Sequence, residues 1–236
     1  MIQVETFPQP SIQSIHDLAL RETSLENIAL EELTTWESRI VCVSGPSGAG
    51  KHSFCRALLA MMPEVFLLVG PCTTRPCTEE DISAHAYKQL TVSQYQTKRS
   101  NNEFLLWRHT THGLYGIEKD AIRHAMVGRR LILLTFRSLG CVALKYIMPR
   151  LLVINLVVTK SVVNQRLQRR ARMDDNIEDR MNAMAFDSYV NLTMANYWKG
   201  RPEKNWITLW NNEDVPPISP NVVNAAITEL KARHII

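Results

Sequence analysis

The feature that most constrains this sequence is a glycine-rich loop between an apolar run and a predicted helix. Its residues are Gly45, Pro46, Ser47, Gly48, Ala49, Gly50 and Lys51. The preceding residues 40–43 are all apolar, as in a parallel strand that is buried on both faces. In this setting glycines let the backbone turn its N–H groups toward a phosphate, and the N-terminus of the helix faces the same anion. The pattern predicts a phosphate-binding loop in which Lys51 reaches the β- and γ-phosphates of a nucleotide.

The position after the lysine departs from the usual form of this loop. A serine or threonine normally follows the lysine and contacts magnesium. Here His52 follows, and the hydroxyl comes one residue later, at Ser53. We predict that both residues belong to the nucleotide-binding site and that Ser53 is the magnesium ligand. The alternative, a tight turn without a ligand, would not require Lys51.

Short apolar runs alternate with predicted helices along the chain, which indicates an α/β fold with a parallel sheet. Further buried strands are expected at 65–69, 131–136, 151–158 and 206–209. The polar stretch 70–117 interrupts this alternation. An insertion near the carboxyl ends of the strands is a common place for a substrate-binding subdomain.

The N-terminal segment carries none of this chemistry. Residues 1–37 show helical apolar spacing in places and are predicted to form a helical extension of the main domain, 38–236. Packing on the main domain is the favoured role, and contact with a partner protein is the alternative.

Charge and composition exclude several classes of protein. The formal net charge of +4 is mild, but arginines 166, 169, 170 and 172 form a basic cluster. Such a cluster suits a nucleotide or a sugar phosphate, unless it is merely a solvated helix face. No aromatic residues are interleaved with it, so a nucleic-acid partner is not predicted. The longest largely apolar run, 151–158, is too short to cross a bilayer, and the five cysteines lack metal-ligand spacing. We expect a cytoplasmic protein without a membrane partner.

Further motifs, in order along the chain, resemble those of guanylate kinases. After the loop come Thr73-Thr74-Arg75-Pro76, Asn102-Glu103-Phe104-Leu105 and Leu114-Tyr115-Gly116. The resemblance extends over about residues 39–213. It implies a P-loop three-layer parallel sheet, a guanylate-kinase-like acceptor-binding insertion at about 70–117 and a helical lid at about 166–180.

Four positions depart from the guanylate kinase pattern. Thr78 takes the place of a second phosphate-binding arginine, and Leu106 takes the place of the glutamate that binds guanine. Ile117 stands where the family has a hydroxyl after its tyrosine–glycine motif, and Phe136 where it has an aspartate. Guanine recognition depends on buried polar partners, so their loss should remove most of the affinity for GMP.

A sister group, the ribose 1,5-bisphosphate phosphokinases, is similar at several of these positions. Its loop reads GPSGxGKDS, with the hydroxyl displaced as in Lys51-His52-Ser53. Its HGLxYGI motif resembles residues 112–117, and an arginine after its third core strand resembles Arg137. Its RLxxRGRE lid resembles residues 166–172, and its TLNND end resembles residues 208–213.

These resemblances imply roles for individual residues. ATP and Mg²⁺ would be the cofactors, and Asn212 would join the loop in binding the nucleotide. The residues predicted to act on the transferring phosphate are Lys51, Arg170 and Arg180, with Arg166 as a supporting cation. The residues predicted to bind the phosphorylated acceptor are Arg75, Tyr87, Tyr115, Arg137 and Arg172.

The sequence therefore predicts a small-molecule kinase that phosphorylates ribose 1,5-bisphosphate to 5-phosphoribosyl 1-diphosphate. A nucleoside-monophosphate kinase of the guanylate type is one alternative. A catalytically inactive, guanylate-kinase-like module that binds a protein is another. A homodimer is an assembly that the sequence leaves open.

Overall fold

The computed structural model describes residues 11–21, 28–79, 87–110, 113–170, 177–199, 205–213 and 218–236, and only the backbone of residues 170, 179 and 180. The strands are β1 Ile40–Ser44, β2 Phe66–Leu68, β3 Cys72–Thr73, β4 Lys88–Gln89, β5 Phe104–Thr110, β6 Gly113–Glu118, β7 Leu131–Phe136, β8 Leu152–Val157 and β9 Trp206–Trp210. The helices are α1 Ile12–Arg21, α2 Leu30–Glu37, α3 Lys51–Met61, α4 Val92–Ser100, α5 Lys119–Met126, α6 Ser138–Ile147, α7 Lys160–Arg170, α8 Ile177–Lys199 and α9 Pro220–Ala232.

The main sheet is parallel and has the strand order β2-β7-β1-β8-β9. Its central strands β1 and β8 are buried along their whole length. Successive side chains alternate between the two faces, so Cys42 joins one core and Val41 and Val43 join the other. Helices α3, α7 and α9 cover one face, and α6 and α8 cover the other. This arrangement confirms the predicted three-layer α/β fold.

A second sheet, of order β4-β3-β6-β5, forms most of the region predicted as an insertion. Strands β5 and β6 are antiparallel neighbours, with Trp107 opposite Gly116. A capping box between Thr91 and Gln94 starts helix α4 beside this sheet. The stretch 103–107 predicts a strand that is part of β5, whereas the sequence pattern does not predict β6, α4 or α6. In β6 the glycines at 113 and 116 interrupt the apolar alternation on which strand prediction relies.

The described parts of the N-terminal extension pack on the main domain. Ile15 and Ala19 of α1 are buried in the same core as α6 and α8, and Trp36 closes that core from α2. Glu32 forms an ion pair with Arg123 of α5, at 2.7 Å. This packing agrees with the favoured prediction for the extension. Among the described residues, no helix is both long enough and apolar enough to cross a membrane.

Candidate active site

The glycine-rich loop joins β1 to α3 at the carboxyl edge of the main sheet. Gly48 and Gly50 have φ angles of 78° and 89°, a region that side chains disfavour. A Cβ on Gly48 would come within 2.9 Å of Val163 Cγ1, and one on Gly50 within 2.9 Å of Asn211 Nδ2. The loop therefore needs glycine at both positions, for conformation and for space.

The carbonyl groups of the loop accept hydrogen bonds from side chains, among them those of Lys51 and Asn211. Lys51 Nζ donates to the carbonyl oxygens of Gly45 and Pro46, at 2.7 and 2.8 Å. Asn211 Nδ2 donates to the Ala49 carbonyl at 2.9 Å. Because the C=O and N–H groups of successive residues point in opposite directions across a trans peptide, the N–H groups of Ser47 and Gly50 are turned the other way. Backbone N–H groups turned in this way are typical of anion-binding loops.

The Lys51 ammonium group is buried and is affected by nearby charges of both signs. The pKa of Lys51 is lowered to about 8, mainly by burial; the charge of Asp187 acts to raise it and that of Arg137 to lower it. The ammonium group is therefore poorly solvated in this structure. A poorly solvated cation gains more from an incoming phosphate than a surface lysine would.

Arg166 ties helix α7 to the loop. Its Nη1 donates to the Gly48 carbonyl at 3.1 Å, and its Nη2 donates to the carbonyls of Asn211 and Glu213, at 3.2 and 2.8 Å. The sequence interpretation named Arg166 only as a supporting cation and missed Asn211. It chose the neighbouring Asn212, whose Oδ1 accepts from the Thr159 N–H at 2.8 Å. The predicted nucleotide contact of Asn212 stays a prediction.

His52 and Ser53 occupy the first turn of α3. The His52 Nε2 lies 3.4 Å from Thr135 Oγ1 at the end of β7, and its ring packs on Tyr87 with centroids 4.9 Å apart. Ser53 is partly buried on the same turn. Within the described ranges, no three His, Cys, Asp or Glu side chains come together as a metal site.

The described residues near the loop fit magnesium as an ion that arrives with the nucleotide. Magnesium prefers oxygen ligands and often keeps several waters while it binds substrate phosphates. The described chain offers hydroxyl groups near the loop, such as those of Ser53 and Thr135, and an aromatic side chain, Phe136, at the family's aspartate position. The magnesium role of Ser53 stays a prediction.

Three predicted acceptor residues come together beside the loop. The Arg75 guanidinium lies over the Tyr87 ring at 5.3 Å, and the Tyr115 ring meets Tyr87 edge-on at 6.2 Å. The Arg75 N–H donates to Thr73 Oγ1 at 3.1 Å, and the Tyr95 hydroxyl donates to the Tyr115 carbonyl at 2.9 Å. We call Arg75, Tyr87 and Tyr115 the acceptor cluster.

Arg137 already has a strong partner in the protein. Its Nε and Nη2 lie 2.7 and 2.6 Å from Asp187 Oδ2, and the Asp187 side chain is only 1% exposed. Its Nη2 also donates to the Ala183 carbonyl at 3.3 Å. Two charge-assisted contacts to one buried carboxylate oxygen hold the arginine in position. Any contact of Arg137 with an acceptor phosphate would have to share the guanidinium with this carboxylate.

The two positions that correspond, by resemblance, to polar residues of the guanylate kinase acceptor site are apolar and buried. Leu106 and Ile117 are opposite each other on β5 and β6, and are 4% and 1% exposed. Both belong to the main hydrophobic core. Thr78, at the position of the second arginine, is exposed.

The side chains of three predicted lid arginines lie outside the described part of the structure. Arg170 ends α7 and Arg180 lies in the first turn of α8, but only their backbones are described. Arg172 lies outside the described residues. Their catalytic and binding roles therefore remain predictions.

Comparison with known proteins agrees with this geometry. A guanylate kinase of Synechococcus sp. is 29% identical over 138 residues, covering 58% of this chain and 75% of the relative. A guanylate kinase of Carboxydothermus hydrogenoformans is 27% identical over 159 residues, covering 67% of this chain and 78% of the relative. The crystal structure of guanylate kinase from Anaplasma phagocytophilum shares the fold, with a TM-score of 0.53 at 15% identity over 82% of this chain and 85% of that one.

These relatives support a kinase and give no support to the closer likeness with ribose 1,5-bisphosphate phosphokinases. The family model described as guanylate kinase matches residues 37–191, a span that includes the loop, the acceptor cluster and most of α8. Because this match extends over more than half of the sequence, the chain belongs to the guanylate kinase family.

Proposed function

We propose that this chain transfers the terminal phosphate of ATP to a phosphate of a small acceptor, as a nucleoside-monophosphate kinase of the guanylate kinase type. The observation that carries the proposal is the closeness of two sites. The phosphate loop and the acceptor cluster meet at the contact between His52 and Tyr87, whose ring centroids are 4.9 Å apart. A kinase needs its donor and acceptor phosphates at such a junction.

Phosphoryl transfer asks the protein mainly to position groups and to offset charge. The backbone N–H groups of the loop and Lys51 would hold the β- and γ-phosphates. Arg75 would hold the acceptor phosphate, with Tyr87 and Tyr115 as hydrogen-bond donors. Arg170 and Arg180 would close over the transferring group. Magnesium, when bound, would neutralise phosphate charge.

A second acceptor class is favoured by one specific observation. Leu106 and Ile117 are buried and apolar, so they offer guanine no hydrogen bonds. A buried apolar site cannot select a polar base edge, because the polar groups of the base would lose their water without a replacement. An acceptor held through phosphates alone, such as ribose 1,5-bisphosphate, remains the second candidate.

An acceptor screen tests both candidates. ADP release from ATP would be measured with GMP, other nucleoside monophosphates and ribose 1,5-bisphosphate at equal concentrations, with and without magnesium. We expect turnover with a nucleoside monophosphate and a weak preference for guanine over other bases. Turnover only with ribose 1,5-bisphosphate would replace the first candidate by the second. Calorimetric ATP binding without turnover on any acceptor would indicate an inactive binding module.

A further inference from the structure

We propose that His52 is a positioning residue for the acceptor: its ring holds Tyr87, and through Tyr87 the acceptor cluster, against the first turn of the phosphate-loop helix. This inference rests on the proposed function. It assigns a role in acceptor binding to a residue that directly follows the phosphate-binding loop in the sequence.

Of the two described contacts of His52, the ring contact with Tyr87 has the better geometry. Its Nε2 lies 3.4 Å from Thr135 Oγ1, which is long for a hydrogen bond. Its ring, in contrast, lies against Tyr87 with a centroid distance of 4.9 Å and an interplanar angle of 41°. Aromatic pairs at this distance are favourable beyond the area that they bury, by about 2- to 10-fold in an equilibrium constant.

Tyr87 links His52 to the rest of the acceptor cluster. The same tyrosine ring receives the Arg75 guanidinium at 5.3 Å and the edge of Tyr115 at 6.2 Å. Arg75 and Tyr115 come from separate segments that are joined by the β3–β6 pairing. The Tyr87 ring therefore contacts two of the other residues predicted to bind the acceptor, and His52 packs on that ring from the donor side.

A serine or threonine at position 52 could not make this contact. Its side chain ends at a hydroxyl or methyl group and has no face on which a tyrosine ring can pack. With histidine at this position, the chain lacks the usual hydroxyl oxygen near the nucleotide. It has instead an aromatic ring that contacts the acceptor cluster through Tyr87. We infer that the departure from the usual loop motif is a specialisation of acceptor binding.

Steady-state kinetics with three variants test the role. His52→Ala removes the ring, His52→Ser supplies the usual hydroxyl, and His52→Phe keeps a ring without its nitrogens. We expect His52→Ala and His52→Ser to raise the KM for the best acceptor about 5- to 10-fold while the KM for ATP changes less than about 2-fold. His52→Phe should restore an acceptor KM close to that of the parent protein.

The control is His124→Ala, which removes an exposed histidine from α5. It should leave both constants unchanged. An equal rise in both KM values for His52→Ala would overturn the proposal, because it would place the residue on the nucleotide. A His52→Phe variant as poor as His52→Ala would overturn it as well.

A second measurement does not depend on turnover. The ring-proton signals of His52 in NMR spectra should carry a ring-current shift from Tyr87, and Tyr87→Leu should remove it. Unchanged His52 signals in Tyr87→Leu would refute the contact even in an active enzyme. If the screen finds no acceptor while these signals do shift, the proposed function fails and the contact itself stands.

Discussion

The donor loop and the acceptor sheet are built in opposite ways. The loop comes from one continuous stretch, residues 45–51, and its carbonyls are held by residues of the main domain, Arg166 and Asn211 among them. The acceptor cluster is assembled from segments far apart in the sequence. The Leu114 N–H, for example, donates to Thr74 Oγ1 across 40 positions. A site made of one segment can be recognised from its motif, whereas a site made of several depends on strand pairing.

The two regions also differ in how they are supported. The loop follows a strand in the middle of the main sheet, between two large cores. The acceptor sheet has a small core of its own, formed by Cys72, Leu90, Tyr95 and Phe104. Regions with few buried apolar contacts open more readily than the centre of a domain. We therefore expect the donor side to be the more rigid half of the site. On the acceptor side, changes in the small core should cost the fold less than changes at Leu106, which belongs to the main core.

The largest effect should come from the donor side. We expect Lys51→Ala to lower kcat by about 10³-fold, since it removes a fixed cation from the developing charge of the transferring phosphate. Lys231→Ala, an exposed lysine on α9, is the matched control and should keep full activity. Circular dichroism should show both variants folded. Full turnover of Lys51→Ala would break the assignment of the loop as the donor site.

Restoring the family's acidic residue on the acceptor side should damage the fold. Leu106→Glu places a carboxyl group at a position that is 4% exposed within the main core. We expect it to lower the free energy of unfolding by about 3 kcal/mol. Leu106→Met, the control, should cost less than about 1.5 kcal/mol. Urea unfolding measures both, and a stable Leu106→Glu protein with improved GMP turnover would show that the pocket opens at this residue.

Substitution of Arg75 should change the KM for the acceptor much more than the KM for ATP. Arg75→Ala is expected to raise the KM for the acceptor about 10- to 100-fold, the usual value of a hydrogen bond to a charged group, with little change in the KM for ATP. Arg99 supplies a matched control in the same region, because it is exposed and stacks on Trp107 at 3.8 Å. Arg99→Ala should change neither constant by more than about 2-fold. Equal effects of both variants would argue for general electrostatics.

The smallest expected effect is a pH dependence of the donor side. Because burial lowers the pKa of Lys51 to about 8, the free enzyme loses this cation as the pH rises through 8. We expect kcat/KM for ATP to fall about 10-fold for each further pH unit, and to be full below pH 7. Burial raises the pKa values of Cys55 and Cys72 to about 12, so these thiols should not contribute. A flat profile to pH 9.5 would contradict the lowered pKa of Lys51.

The sequence could predict what depends on local patterns. The buried strands, the loop and its glycines follow from apolar runs and from backbone geometry. It also predicts Arg75 and Tyr115 as acceptor residues, because their motifs resemble those of a family; that Tyr87 contacts both is a finding of the structure. It could not find the contact between His52 and Tyr87, since their distance depends on how the second sheet sits on the first. Nor could it find the Arg137–Asp187 pair, which joins the start of α6 to the middle of α8.

The packing of α1 affects how a shortened protein should be interpreted. The family match begins at residue 37, but Ile15 and Ala19 are fully buried and His16 meets the rings of Tyr146 and Tyr197. A protein shortened to begin at residue 37 would leave apolar sides of α6 and α8 facing water, and exposed patches of this kind promote aggregation. If such a protein failed to phosphorylate any acceptor, the exposed core would explain the failure. The result would not test the catalytic groups.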